Sequence, residues 1–202
     1  MEVPMAEAPK RPHRPARYAD LTALIDAAAG DSPRSRAEVA ASAAQALLDA
    51  AAGGERDRLV GLADAVGIDT LAELWRDCEP VSLPGALWIL YLLRQWCRSS
   101  PAEVARLWRE GEPYAGPDAV VAGAGLHPDR EAMLRLADSI LGSAYGGDFA
   151  IALERAAAFF RVIAAGRREG APGPGASFAP RNDRVARDLA AAAAAWRAGA
   201  LH

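Results

Sequence analysis

One lysine, Lys10, stands among the 23 basic residues of this 202-residue chain, so nearly all its positive charge is arginine. In an Ala/Arg/Gly-rich sequence that bias follows the texture of a high-GC coding sequence, and the arginine count alone is no sign of phosphate recognition. Aromatic residues are scarce, at 6%, and Val, Ile and Thr never gather into alternating runs, which argues against half-buried strands. The two cysteines, Cys78 and Cys97, lack CxxC spacing, and no leader with a basic start and an apolar core of the usual length opens the chain. The expected compartment is a reducing cytoplasm with both thiols free. The three histidines, His13, His127 and His202, have no carboxylate partner on a helical face. Neither HExxH, a repeated ExxH, a nucleophile elbow nor a Gly-rich phosphate loop is present, so no catalytic residue, metal ligand or cofactor is assigned. A formal net charge of -3 gives no general attraction to nucleic acid or anionic lipid.

What the chain has is helix-forming material: 51% hydrophobic residues with very abundant alanine. The most informative stretch runs from Ser82 to Arg98. Ser82 suits an N-cap and Pro84 the first helical turn, and every residue from Ala86 to Leu93 is apolar or Tyr. Such a helix needs cover on every side. It is too short to span a bilayer, which takes roughly 20 apolar residues. The expected fold is therefore all-α, a single bundle of about eight to ten helices around a buried central helix at 83–98. Trp88, at its middle, is expected to cost about 3–5 kcal/mol when cut to alanine.

Around that centre the chain divides into a Pro-rich basic arm at 1–16, a bundle at 17–166, a Gly/Pro-rich linker at 167–181 and a last helix at 182–202. Within the bundle, helices are expected at 18–29, from 32 or 35 to 53–54, and at 56–66, 70–78, 100–111, 119–122, 128–144 and 149–165. Glycines or prolines stop most of them. Thr70 with Glu73 reads as a capping box. Leu189 and Trp196 are the expected anchors of the last helix.

Three features invite functional readings. Leu62 to Trp75 resembles a helix-turn-helix, with Ala63 and Gly67 four apart. However, its second helix carries Glu73 where that motif wants an apolar residue, and Asp69, Asp77 and Glu79 would repel phosphate. The segments Leu71–Asp77 and Val104–Glu110 echo each other at an offset of 33 residues, which makes Trp75 and Trp108 equivalent aromatic plugs beside the central helix. Arg94 and Arg98, one turn apart near Trp96, are read first as stabilising the C-terminal end of the helix through its dipole while reaching solvent, and alternatively as an anion pocket or an Arg/Trp contact surface. Glu154 and Arg161, seven apart on the apolar helix at 149–165, lie on one side of it. The simpler reading makes that side the helix's narrow solvent face; facing the core instead, they would need partners, and Glu154 meeting Arg94 beside Trp88 and Tyr91 would form a pocket.

These readings lead to a non-enzymatic, cytoplasmic helical protein that acts by protein–protein interaction, with a protein partner or a second copy of itself. The candidate contact residues are Trp88, Tyr91, Arg94, Trp96, Arg98, Glu154 and Arg161. One alternative is a small-molecule-binding bundle, or an enzyme, with its pocket beside the central helix. The other is a transcription-associated regulator using the hairpin at 58–77. Neither nucleic acid nor membrane is the expected partner.

Overall fold

The computed structural model describes residues 33–125, 128–170 and 177–202. The expected arm at 1–16, the helix at 18–29 and the histidines His13 and His127 lie outside the described residues. Among those described there is no strand, and the chain is an all-α bundle.

α1 (Pro33–Ala50) buries Ala40, Ala43 and Ala44. Its small side chains leave the backbone accessible, and the Trp75 indole N–H donates to the Ala40 carbonyl at 3.2 Å. A π-helical turn, Ala51–Glu55, follows. The single helix expected at 56–66 is two short ones, α2 (Arg56–Val60) and α3 (Leu62–Val66), broken at Gly61. Gly67 then turns the chain with φ +88°, a conformation that disfavours any side chain, into α4 (Ile68–Trp75). Thr70 does not form the expected capping box with Glu73. Its hydroxyl donates back across the turn to the Val66 carbonyl at 2.8 Å.

α5 (Leu83–Ser99) begins as expected, with the Ser82 hydroxyl accepting from the Gly85 N–H at 3.2 Å. The far end of the chain helps hold this start, because the Leu83 N–H donates to the His202 carbonyl at 3.0 Å. α5 packs on α1 and α4 and on two later helices, α6 (Pro101–Gly111) and α8 (Arg130–Ala144). It is not covered on all sides, however. Leu92 is exposed and Trp88 and Ile89 are half-buried. The tryptophans that fill the core are Trp75, stacked on Tyr91 at 6.2 Å, and Trp108, 5.6 Å from Phe159. Trp88→Ala should thus cost less than the sequence suggests, since less of the side chain leaves an apolar site.

After α6 comes a 3-10 turn (Glu112–Tyr114), and the short helix expected at 119–122 is present but starts earlier, as α7 (Gly116–Ala122). Asp129 caps α8, accepting from the Ala132 N–H at 2.8 Å, and Asp148 caps α9 (Phe149–Glu169), accepting from the Ile151 N–H at 3.0 Å. α9 shares the central role with α5: it touches α5, α6, α7 and α8, and most extensively α10 (Ala179–Arg197). Because α9 continues to Glu169 and α10 starts at Ala179, the connection is shorter than the 167–181 read from composition. α10 lies on α9 rather than standing apart. Leu189 is buried, and Trp196 meets Phe149 edge-on at 4.9 Å. α6 and α9 approach closely enough that Gly111 and Gly166 face each other's helix backbone with no room for a Cβ between.

Candidate functional site

Arg94 projects from α5 into the space between α3 and α8 and is only 5% exposed. An arginine there needs anionic partners, because an isolated buried charge costs several kcal/mol or more. Two helices supply them. Its Nε donates to Asp138 Oδ1 of α8 at 2.6 Å, and its Nη2 donates to Asp64 Oδ2 of α3 at 2.9 Å. Nη1 is buried with no hydrogen-bond partner. Arg98, one turn later and exposed, places Nη1 3.4 Å from the same Asp64 oxygen. The hydrogen bond from Arg94 holds the Asp64 carboxyl below its ordinary pKa. Burial works against the Arg94 charge, but the bonds to Asp64 and Asp138 outweigh it and raise the pKa above the ordinary arginine value.

Beside this cluster is a second polar chain. The Tyr91 hydroxyl donates to the Leu59 carbonyl at 2.7 Å and lies 2.7 Å from the Tyr145 hydroxyl. Since Tyr91 has one hydrogen and spends it on Leu59, Tyr145 is the donor between them. Burial pushes both phenols well above their ordinary pKa. Burial also pushes the Cys97 thiol up to about 12, with Asp138 adding to it. These shifts favour the protonated phenols and thiol of the cluster. Its chemistry is structural: it ties α2, α3, α5 and α8 together.

The other candidates are dispersed. Trp96 is half-buried, edge-on to Phe159 at 6.4 Å, with the Arg167 guanidinium 5.5 Å from its ring centre. Glu154 does not meet Arg94. It accepts two bonds from Arg197 of α10, at 2.6 and 2.8 Å. Arg161 pairs with Asp118 of α7 at 3.0 Å. Both members of the α9 pair thus lie at its partly exposed side, each fastening a neighbouring helix. That agrees with the simpler reading of a partly exposed face, and the alternative pocket, in which Glu154 would meet Arg94 beside Trp88 and Tyr91, is not assembled. In the hairpin that resembles a helix-turn-helix, Leu71 and Trp75 are sunk in the core, so α4 is a bundle helix with acidic residues on its outer side.

Sequence reasoning missed Asp64, Asp138 and Asp118 as partners, and Arg155 altogether. The available signal was a lone charge inside an apolar helical stretch, as with Asp138 between Leu136 and Leu141. Among the described residues no cluster of three metal-binding side chains occurs, and no helix is long and apolar enough to cross a membrane. No protein-family model, no curated protein sequence and no solved structure matches this chain.

Proposed function

We propose that the protein is a non-enzymatic cytoplasmic protein that works by binding another protein along the edge formed by the 3-10 turn and α7. The observation that carries this reading is a row of apolar side chains held outward. Tyr114, Val120 and Val121 are 65%, 79% and 53% exposed. On the opposite side of α7, Ala119 and Ala122 are buried, and Asp118 is tied to Arg161 of α9. The segment is therefore fixed before any partner arrives, which lowers the ordering cost of binding. Three such side chains offer a few hundred Å², comparable to the largest patch on an ordinary monomer and less than the roughly 800 Å² per partner of a standard interface. That area fits the apolar centre of a contact with a different protein, with Tyr114 as its anchor, better than a permanent self-dimer. Cys78 and Cys97 are unpaired, in keeping with a reducing compartment.

The test is a photo-crosslinking side chain placed in cells at position 120 or 121, with Ala194 on the exposed side of α10 as the control position. The expected result is one discrete heavier product at 120 and 121, absent at 194, that disappears when Tyr114 is also changed to Ser. Crosslinking no stronger than at 194 refutes the proposal, and a product of twice the chain's mass replaces the foreign partner with a second copy.

A further inference from the structure

Among the described residues, the Arg155 guanidinium of α9 is held by neutral groups alone. Its Nε donates to the Ala122 carbonyl at 3.0 Å, and its Nη1 donates to Ser143 Oγ at 2.8 Å and the Ser139 carbonyl at 3.4 Å. Its Nη2 donates to Ser139 Oγ at 3.1 Å. By contrast, Arg94, Arg161, Arg168 and Arg197 each reach a carboxylate oxygen within 3.0 Å, whereas no carboxylate among the described residues pairs with Arg155. Ala122 ends α7, so its carbonyl offers the partial negative charge of a short helix. That fraction leaves most of the guanidinium charge uncompensated. Burial acts alone on this group and lowers its pKa from the ordinary arginine value. Of the five guanidinium N–H groups, four are spent on these acceptors and one remains.

Next to Arg155 a cleft of about 350 Å³ opens between the end of α7 and the first turns of α8. Its walls include Gly123, Ala132, Leu136 and Ser139, with Arg135 among them. A side chain at Gly123 would press on Arg155 Nη2 at 3.1 Å, so the glycine keeps that side of the guanidinium open. The Ser139 hydroxyl accepts from Arg155, and its own hydrogen has no acceptor among the described residues. Arg135 pairs with Glu131 at 3.0 Å on a largely exposed side chain, an ion pair of little strength that a better anion displaces. One wall is apolar, formed by Leu136 and Ala132. The volume lies at the small end of the range for organic ligands.

We propose that this cleft binds a small organic anion, a carboxylate or phosphate group carried on an apolar stem. The head group sits on Arg155 and Ser139, Arg135 adds charge, and the stem lies against Leu136 and Ala132. This site is separate from the outward row on α7, and its test leaves Tyr114, Val120 and Val121 unchanged.

The experiment titrates the full chain at low ionic strength with phenyl phosphate, benzoate and uncharged benzamide, following the Gly123 and Gly125 amides in proton–nitrogen correlation spectra. The expected result is saturable movement of both amides with at least one anion and none with benzamide. Whichever anion binds about tenfold tighter identifies the head group. Arg155→Gln should abolish binding, but Arg155 also ties α7 to α8 and α9, so two milder variants carry the argument. Ala132→Phe, which fills the cleft, and Ser139→Ala, which removes the hydroxyl, should each weaken binding, the first by about tenfold or more. No saturable movement with either anion overturns the proposal. So does equal movement with benzamide, or undiminished binding by Ala132→Phe.

Discussion

Gly166→Ala is a substitution whose usual sign the α6–α9 crossing should reverse. Inside an exposed helix, glycine to alanine stabilises by about 1 kcal/mol, because the methyl group restricts the unfolded chain and suits the helix. At Gly166 the added Cβ would overlap the Leu107 carbonyl of α6, and across the same contact a Cβ on Gly111 would overlap the Val162 carbonyl of α9. The obstacle is backbone on both sides, which cannot swing aside as a flexible side chain does. Relief requires the helices to part, and parting them separates Trp108 from Phe159, now 5.6 Å apart, in the middle of the core. Overpacking of this kind costs about 1–3 kcal/mol, and with backbone as the obstacle the upper end applies. The propensity gain offsets part of that, leaving a net destabilisation of about 1–2 kcal/mol. Urea unfolding followed by tryptophan fluorescence should show the midpoint falling by about 0.5–1 M, given a slope of about 2 kcal/mol/M. Gly111→Ala should behave alike, and the double variant should lose less than the sum, since both relieve one contact. Gly116→Ala, whose Cβ meets nothing within 4 Å, should stay within about 0.5 kcal/mol of the parent. A Gly166→Ala protein as stable as the parent would refute the close crossing.

Acid should loosen the Arg94 cluster. Asp64 has a folded pKa below its ordinary 3.8, so the folded state binds fewer protons than the unfolded one. Its contribution is complete above about pH 4 and is lost as pH falls through the folded value. The side chain is 40% exposed, so the effect is screened, and Asp64→Asn should only flatten the drop in melting temperature between pH 4 and pH 2. An unchanged slope would separate Asp64 from stability. In the tyrosine chain, Tyr145→Phe deletes one donor and should cost about 1 kcal/mol. Tyr91→Phe strands both the Leu59 carbonyl and the Tyr145 hydroxyl and should cost more, and chemical denaturation that reverses this order would contradict the donor assignment. Cys97, fully buried with its thiol pushed up to about 12, should resist a thiol reagent until the protein unfolds, while the half-buried Cys78 reacts in the native state. Trp75→Ala should destabilise by about 3–5 kcal/mol and Trp88→Ala by clearly less, with thermal melts ranking the two.

Features that local chemistry dictates were legible in the sequence. Ser82, Asp148 and the glycines at 67 and 123 mark helix ends through groups a few residues away, and the echo around Trp75 and Trp108 correctly picks out two core plugs. The expected central helix is there as well. Its estimated degree of cover was too high, because an all-apolar run cannot show that its neighbours leave Trp88 and Leu92 partly bare. The break at Gly61 was missed for a similar reason. A glycine inside a helical pattern lowers helix stability without dictating a stop, so packing decides. Composition also overstated the linker: Arg167 and Arg168 look like loop residues, yet α10 lies along α9 and supports its last turn, with Asp183 holding Arg168 at 2.6 Å.

The candidate site illustrates a sharper asymmetry. Arg94 was noticed because it stands at the end of an apolar run, but its partners are 30 and 44 residues distant in sequence. A residue's own neighbourhood can show that a partner is required without showing which one answers. Tyr91, Glu154 and Arg161 have their polar groups paired inside the fold, and Arg94 pairs two of its three nitrogens with carboxylates while Nη1 stays without a partner, and so they fasten helices. Among the described residues, groups left with spare capacity include the Arg155 charge, the Ser139 hydrogen and the apolar side chains of α7. They look ordinary in the sequence, because being unmatched is a property of the assembled surroundings. For a bundle of this kind, the charges that stand out in the sequence are those the core must neutralise. The proposed binding rests on groups that the core leaves over.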